Sequence, residues 1–163
     1  MSRLSHVDGK GKARMVDVGA KRPTRREAVA CGCVWMSPEA FDLVRQNRLA
    51  KGDVLAVAQV AGIQAAKRTW ELVPLCHPLL LDGIDVSLRL DVRAGCVEIE
   101  ARTRCRASTG VEMEALTAVA VAGLAVYDMV KAVDREAIIG QIRLIQKVGG
   151  KSGRFKRSSK RAC

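Results

Sequence analysis

Hydrophobic periodicity along the chain switches between two and about 3.6 residues, and the switches mark the elements. Residues 13–21, "ARMVDVGAK", predict a first short strand. After the connector "RPTRRE", residues 28–36, "AVACGCVWM", predict an edge or half-buried strand. Ser37 before Pro38 reads as an N-cap with proline in the first helical position, opening a helix that runs to about Arg48. Lys51-Gly52-Asp53 breaks it, and residues 53–73 read as one long helix with an acidic cap, stopped by Pro74 because the residue before proline disfavours the α region. Ile84, Val86, Leu88 and Leu90 then alternate with polar positions, "RAGC" turns, and Val97, Ile99 and Ala101 alternate again, which is a hairpin. Gly110 precedes a further helix to about Ala132, and "AIIGQIRLIQKV" supplies a closing strand before "GGKSG". This order predicts an α+β fold: a ferredoxin-like split βαβ arrangement with a four-stranded antiparallel sheet packed by helices.

The helix after Gly110 departs from a one-sided pattern. "VEMEALTAVAVAGLAVYDMVKAV" is polar at both ends and apolar all round in its middle, so every side of it should be covered. One small sheet covers a single face, and the expectation is that a second copy of the chain covers the other. Glu112 and Asp128 lie at opposite ends, about 24 Å apart at the helical rise and on different faces. Antiparallel pairing with a twin helix would bring one copy's start beside the other's end, which predicts sites between subunits.

Composition narrows the class. At 163 residues a single domain is expected, taken here as residues 1–153, with residues 154–163 as a basic, flexible C-terminal tail. Hydrophobic residues make up 48% and aromatics only 3%, so the core must be built from Ala, Val, Leu and Ile. The start, "MSRLSHVDGKGKARM", is polar throughout, and the longest apolar run, 115–127, is shorter than the roughly 18 residues of a membrane span. A cytoplasmic protein is expected. The formal charge of +11 implies anionic partners, although Lys151, Arg154, Lys156, Arg157, Lys160 and Arg161 carry much of the surplus.

The most distinctive stretch is "VPLCHPLLLDG", residues 73–83. Its side chains admit four readings: a metal site, a cysteine–histidine nucleophile, a substrate-gripping turn, or a packed elbow. Zinc would want four ligands at spacings such as C-x₂₋₄-C, whereas the chain offers Cys31-Gly32-Cys33 and the adjacent pair Cys76-His77. Pro78 favours an extended His77, which turns Cys76 and His77 to opposite sides and weakens the nucleophile reading. "KVGGKS" resembles a phosphate-binding loop, but position 145, where that motif needs glycine, is Ile. Its turn, with Lys147 and Lys151, can still present N–H groups and charge to phosphate.

Several stretches together, "KGDVLAVAQVAGIQAAKRTWELVPLCHPL" from Lys51, "TGVEMEALTAVAVAGLAVYDMVKAV" from Thr109, "KVGGKSG" from Lys147 and "RMVDVGAK" near the start, resemble the molybdenum cofactor biosynthesis protein C (MoaC) family. The likeness runs to about Phe155. It implies a lyase that converts 3′,8-cyclo-7,8-dihydroguanosine 5′-triphosphate to cyclic pyranopterin monophosphate with release of pyrophosphate. It also implies a ferredoxin-like fold and a homohexamer, a trimer of dimers with active sites between subunits. By the same resemblance Asp128 is catalytic, Lys51 and Lys131 transfer protons, and Leu75, Cys76, His77, Met113 and Glu114 contact substrate. Glu112, Lys147 and Arg26 are further pocket members. No resident cofactor or metal is implied, although Mg²⁺ can accompany the triphosphate, and neither a membrane nor a specific nucleic acid is an expected partner. One departure is Ser108, where the family pattern carries lysine. The rival class is an RNA-binding module on the same kind of sheet. Such modules stack bases on aromatics, and this chain has few: Trp35, Phe41, Trp70, Tyr127 and Phe155.

Overall fold

The computed structural model of the protein describes residues 11–151 and 153–158. Strand β1, Thr24–Trp35, is followed by helices α1, Pro38–Arg45, α2, Val54–Lys67, and the single turn α3, Thr69–Leu72. A hairpin of β2, Gly83–Asp91, and β3, Cys96–Ala107, leads to helix α4, Glu112–Val130, then β4, Ile138–Val148, and the two-residue β5, Phe155–Lys156. The strands form one antiparallel sheet in the order β2-β3-β1-β4-β5. The expected α+β split βαβ arrangement is therefore present, and the expected four strands gain a fifth at the β4 edge. The parts of the basic segment beyond Ser158, and the first ten residues, lie outside the described residues.

Strand β1 sits at the centre, and residues 28–34 are all buried or flanked by burial on both sides. It pairs with β3 along its whole length, from Thr24↔Ala107 to Trp35↔Cys96. On the helical side Ala28, Ala30 and Val34 meet Ile99 and Ala101 of β3 and Ala115, Ala118, Val119, Ala122 and Val126 of α4 in one core. Small residues let these layers approach closely. A Cβ on Gly32 would stand 2.7 Å from Val119 Cγ1, and one on Gly62 3.0 Å from the Ala118 carbonyl. The opposite sheet face carries cross-strand ion pairs, Arg102 with Glu27 at 2.6 Å and Arg104 with Asp85 at 2.8 Å. Exposed pairs such as Arg104 with Asp85 contribute about 0–1 kcal/mol each, whereas Glu27 is partly buried.

Four expectations change, the first being that the strand expected at an edge or half-buried over residues 28–36 is the central β1, with residues 28–34 all buried. Residues 13–21 form no strand beyond an isolated bridge at Ala13. Local bonds take its place: Asp17 Oδ1 accepts from the Gly19 N–H at 2.8 Å, and Lys21 N–H donates to the Val18 carbonyl at 3.0 Å. The single helix expected over 53–73 breaks after Lys67, where the buried Thr69 hydroxyl turns back to the carbonyls of Ala65 and Ala66 at 3.3 and 3.1 Å and competes with the backbone ladder. Finally, the second side of α4 is covered in part by α2 of the same chain, so a twin helix is not needed for all of it. Several apolar positions stay open on this helical layer, with Val57 47%, Val60 58% and Leu124 56% exposed, beside exposed Gln59 and Gln64 of α2. In length and composition α4 matches a membrane span, yet half of it is buried inside the fold, as befits a core helix.

Candidate active site

At the amino end of α4 the loop after α3 closes over a cleft of about 420 Å³. Leu75, Cys76, His77, Glu112, Met113 and Glu114 all line it, so the residues implied as substrate contacts converge although they come from two segments. The loop starts with a turn in which the Cys76 N–H donates to the Val73 carbonyl at 3.0 Å. His77 is fixed by the N-terminal segment, its Nε2 lying 2.8 Å from the Val16 carbonyl. A carbonyl only accepts, so Nε2 carries the proton and Nδ1 is left for a ligand. Ser108, the departure from the family pattern, has a structural task here. Its hydroxyl donates to the Lys21 carbonyl at 2.7 Å and ties the same N-terminal segment to the end of β3.

The electrostatics of the cleft centre on Glu114. Its side chain is buried, and desolvation pushes its carboxyl up to about 7; its own backbone N–H offsets part of this, and the neighbouring Glu112 adds to it. Burial, and then Glu114, also raise the Cys76 thiol. A raised thiol is a less ready nucleophile, which weighs against the cysteine–histidine reading of the loop. Among the described residues no three His, Cys, Asp or Glu side chains gather as a metal site. Glu112 pairs with Lys147 of β4 at 3.2 Å. Arg26 of β1 donates from Nε to the Ala107 carbonyl at 3.2 Å, and its guanidinium occupies the space a Cβ on Gly150 would need.

The other implied residues form a separate cluster at the carboxyl end of α4. Asp128 accepts from Lys131 Nζ at 2.7 Å and from Lys51 Nζ at 2.8 Å, and Lys51 also bonds the Asp128 backbone carbonyl at 2.7 Å. That carbonyl is among those an α-helix leaves unsatisfied at its end, where cations are favoured. Lys51 reaches it from the turn at Gly52, whose φ of 93° only glycine adopts readily. The hydrogen bond from Lys131, and next that from Lys51, hold the Asp128 carboxyl down at about 2, and the bond to Asp128 pushes Lys131 up. All three side chains are about half exposed.

Within one chain the two clusters are thus separated along α4, about 24 Å from Glu112 to Asp128 at the helical rise. Arg26, Leu75, Cys76, His77, Glu112, Met113, Glu114 and Lys147 stand at one end, and Lys51, Asp128 and Lys131 at the other. Sequence reasoning missed Val16, Val18, Lys21 and Thr109 as lining residues. No local pattern announces a contact between His77 and a segment 61 residues earlier.

A family model described as the MoaC family matches residues 15–150. The chain belongs to the MoaC family. This family member is 60% identical over 162 residues to the cyclic pyranopterin monophosphate synthase of Pelotomaculum thermopropionicum, covering 99% of this chain and 95% of the relative. It is 59% identical to the protein of that name from Thermomicrobium roseum, with 99% and 98% covered, and 57% identical to that from Heliobacterium modesticaldum, with 95% and 98% covered.

Proposed function

We propose that this MoaC family member is a cyclic pyranopterin monophosphate synthase of molybdenum cofactor biosynthesis. It acts as a lyase on 3′,8-cyclo-7,8-dihydroguanosine 5′-triphosphate and releases pyrophosphate. The observation that carries this is the near-full-length identity to relatives of that name, at 57–60%. The reaction needs protons moved while the purine ring opens and the pterin closes. It also needs charge neutralised as a ribose hydroxyl attacks the α-phosphorus and the bond to pyrophosphate breaks. In this reading Lys51 and Lys131 transfer protons and Asp128 orients them. His77, Glu112, Met113 and Glu114, with Leu75, Cys76, Arg26 and Lys147, hold the substrate. The protein works in the cytosol without a resident cofactor, and any Mg²⁺ comes with the triphosphate.

The working unit in this proposal is a homo-oligomer, a hexamer built as a trimer of dimers, in which Lys51, Asp128 and Lys131 of one subunit face the His77 cleft of the next. Two features favour this: the separation of the clusters along α4, and the open apolar positions Val57, Val60 and Leu124 on the same helical layer. Incubation of the purified protein with the cyclic dihydroguanosine triphosphate is expected to yield pyrophosphate and the pterin product. No product from a folded protein would refute the reading. Lys51→Ala and Lys131→Ala are each expected to lower kcat by about 10²-fold or more, the usual scale for a lost acid–base group.

A further inference from the structure

The basic segment beyond the glycine turn returns to the sheet. Gly149, Gly150 and Gly153 have φ of 102°, 79° and 65°, the left-handed backbone that reverses the chain. Strand β5 then pairs with β4 at Lys147↔Phe155 and Gln146↔Lys156. Arg157 fastens it, its backbone N–H donating to the Ile145 carbonyl at 2.8 Å and its Nε to the Leu144 carbonyl at 2.9 Å. This return walls a second hollow of about 500 Å³, lined by Glu112, Leu144, Lys147, Arg154 and Phe155. Glu112 lines both this hollow and the His77 cleft, so the two share a wall.

The charges in the hollow are unevenly committed. Lys147 is already engaged with Glu112. Arg154 makes no hydrogen bond or ion pair among the described residues. The hollow also adjoins the start of α4, where the N-cap position, Val111, makes no side-chain cap bond and Glu112 and Glu114 place carboxyls in the first turn. Phe155 and Leu144 form the apolar part of the wall, and the hollow is open to solvent, with Phe155 40% exposed. A free guanidinium in such a place matches phosphate oxygens two at a time. The matching family model ends at residue 150, before this strand.

Resting on the reaction proposed above, we propose that Arg154 is a phosphate-binding residue of this site: with Lys147 it takes the two terminal phosphates of the substrate, the pair that departs as pyrophosphate. Calorimetric titration of the full chain with inorganic pyrophosphate at fixed ionic strength tests this. Arg154→Ala is expected to weaken binding about tenfold or more, the scale of a lost hydrogen-bonded charge. Arg154→Lys is expected to recover part of it. Arg93→Ala removes the same charge from the β2–β3 turn at the far end of the sheet and is expected to bind like the parent. In turnover, KM for the triphosphate should rise in parallel for Arg154→Ala. Parent-like binding by Arg154→Ala, equal weakening in Arg93→Ala, or no pyrophosphate binding by the parent would each overturn the assignment. The titration needs no turnover, so a protein that binds pyrophosphate through Arg154 yet forms no pterin would refute the reaction and not the phosphate site.

Discussion

Glu114 is the side chain whose environment says most about its chemistry. It is neutral when folded up to about pH 7, against an ordinary value of 4.5. Between those values the unfolded chain releases the proton and the folded chain keeps it, so stability is full below about pH 4.5 and declines as pH rises through 7. Glu114→Gln should remove this decline. Thermal unfolding is expected to match the parent near pH 5 and to exceed it at pH 8, and parallel curves would contradict the burial argument. Asp128 shows the reverse case. Its pKa of about 2 keeps it ionised across any working pH, and its partner Lys131 is raised. In Asp128→Asn the alkaline limb of the pH–rate profile should therefore move to lower pH, with the acid side above about pH 4 unmoved by this group. The family resemblance singled out both residues. Their protonation was not legible in the sequence, because burial of Glu114 and the meeting of Asp128 with Lys51, 77 residues away, depend on the folded chain.

At the scale of elements, the alternation in β2 and β3 and the Ser37-Pro38 start of α1 were readable because each signal is local. The break between α2 and α3 was not, since it needs the Thr69 side chain to prefer the carbonyls behind it over solvent. Strand β4 also carries a bulge invisible to pattern reading: its register with β1 shifts between Cys31 and Cys33, where Gln141 takes a φ of 56°. The seat of α4 on β1 offers a direct test. Gly32→Ala would place a methyl 2.7 Å from Val119 Cγ1 and 3.2 Å from Ile142 Cγ1. The expected loss is about 1–3 kcal/mol, or several degrees in the unfolding temperature. Adding Val119→Ala should restore part of it, because the double variant reopens the space. An additive double variant would show that the cost lies elsewhere.

For the whole molecule, the pattern along α4 predicted sites between subunits, and within one chain eight of the implied residues stand at one end of the helix and three at the other. The covering role of α2 went unread, because two apolar helices in sequence do not reveal that they will lie against each other. Subunit mixing examines the proposed assembly. Lys51→Ala and His77→Ala homo-oligomers are each expected to be nearly inactive, and co-refolding them at equal ratio should restore about a quarter of the parent activity by random pairing within dimers. Recovery no greater than the sum of the separate variants would argue for sites contained in one subunit.

The bond between His77 and Val16 also reaches beyond the cleft itself. An irregular leading segment is ordinarily the first place where a purification tag is attached or a chain is trimmed. Here such trimming past Val16 would strip one imidazole nitrogen of its acceptor and unfix the ring's tautomer, so a shortened enzyme would keep its sheet and helices while losing the orientation of the ring proposed to meet the substrate.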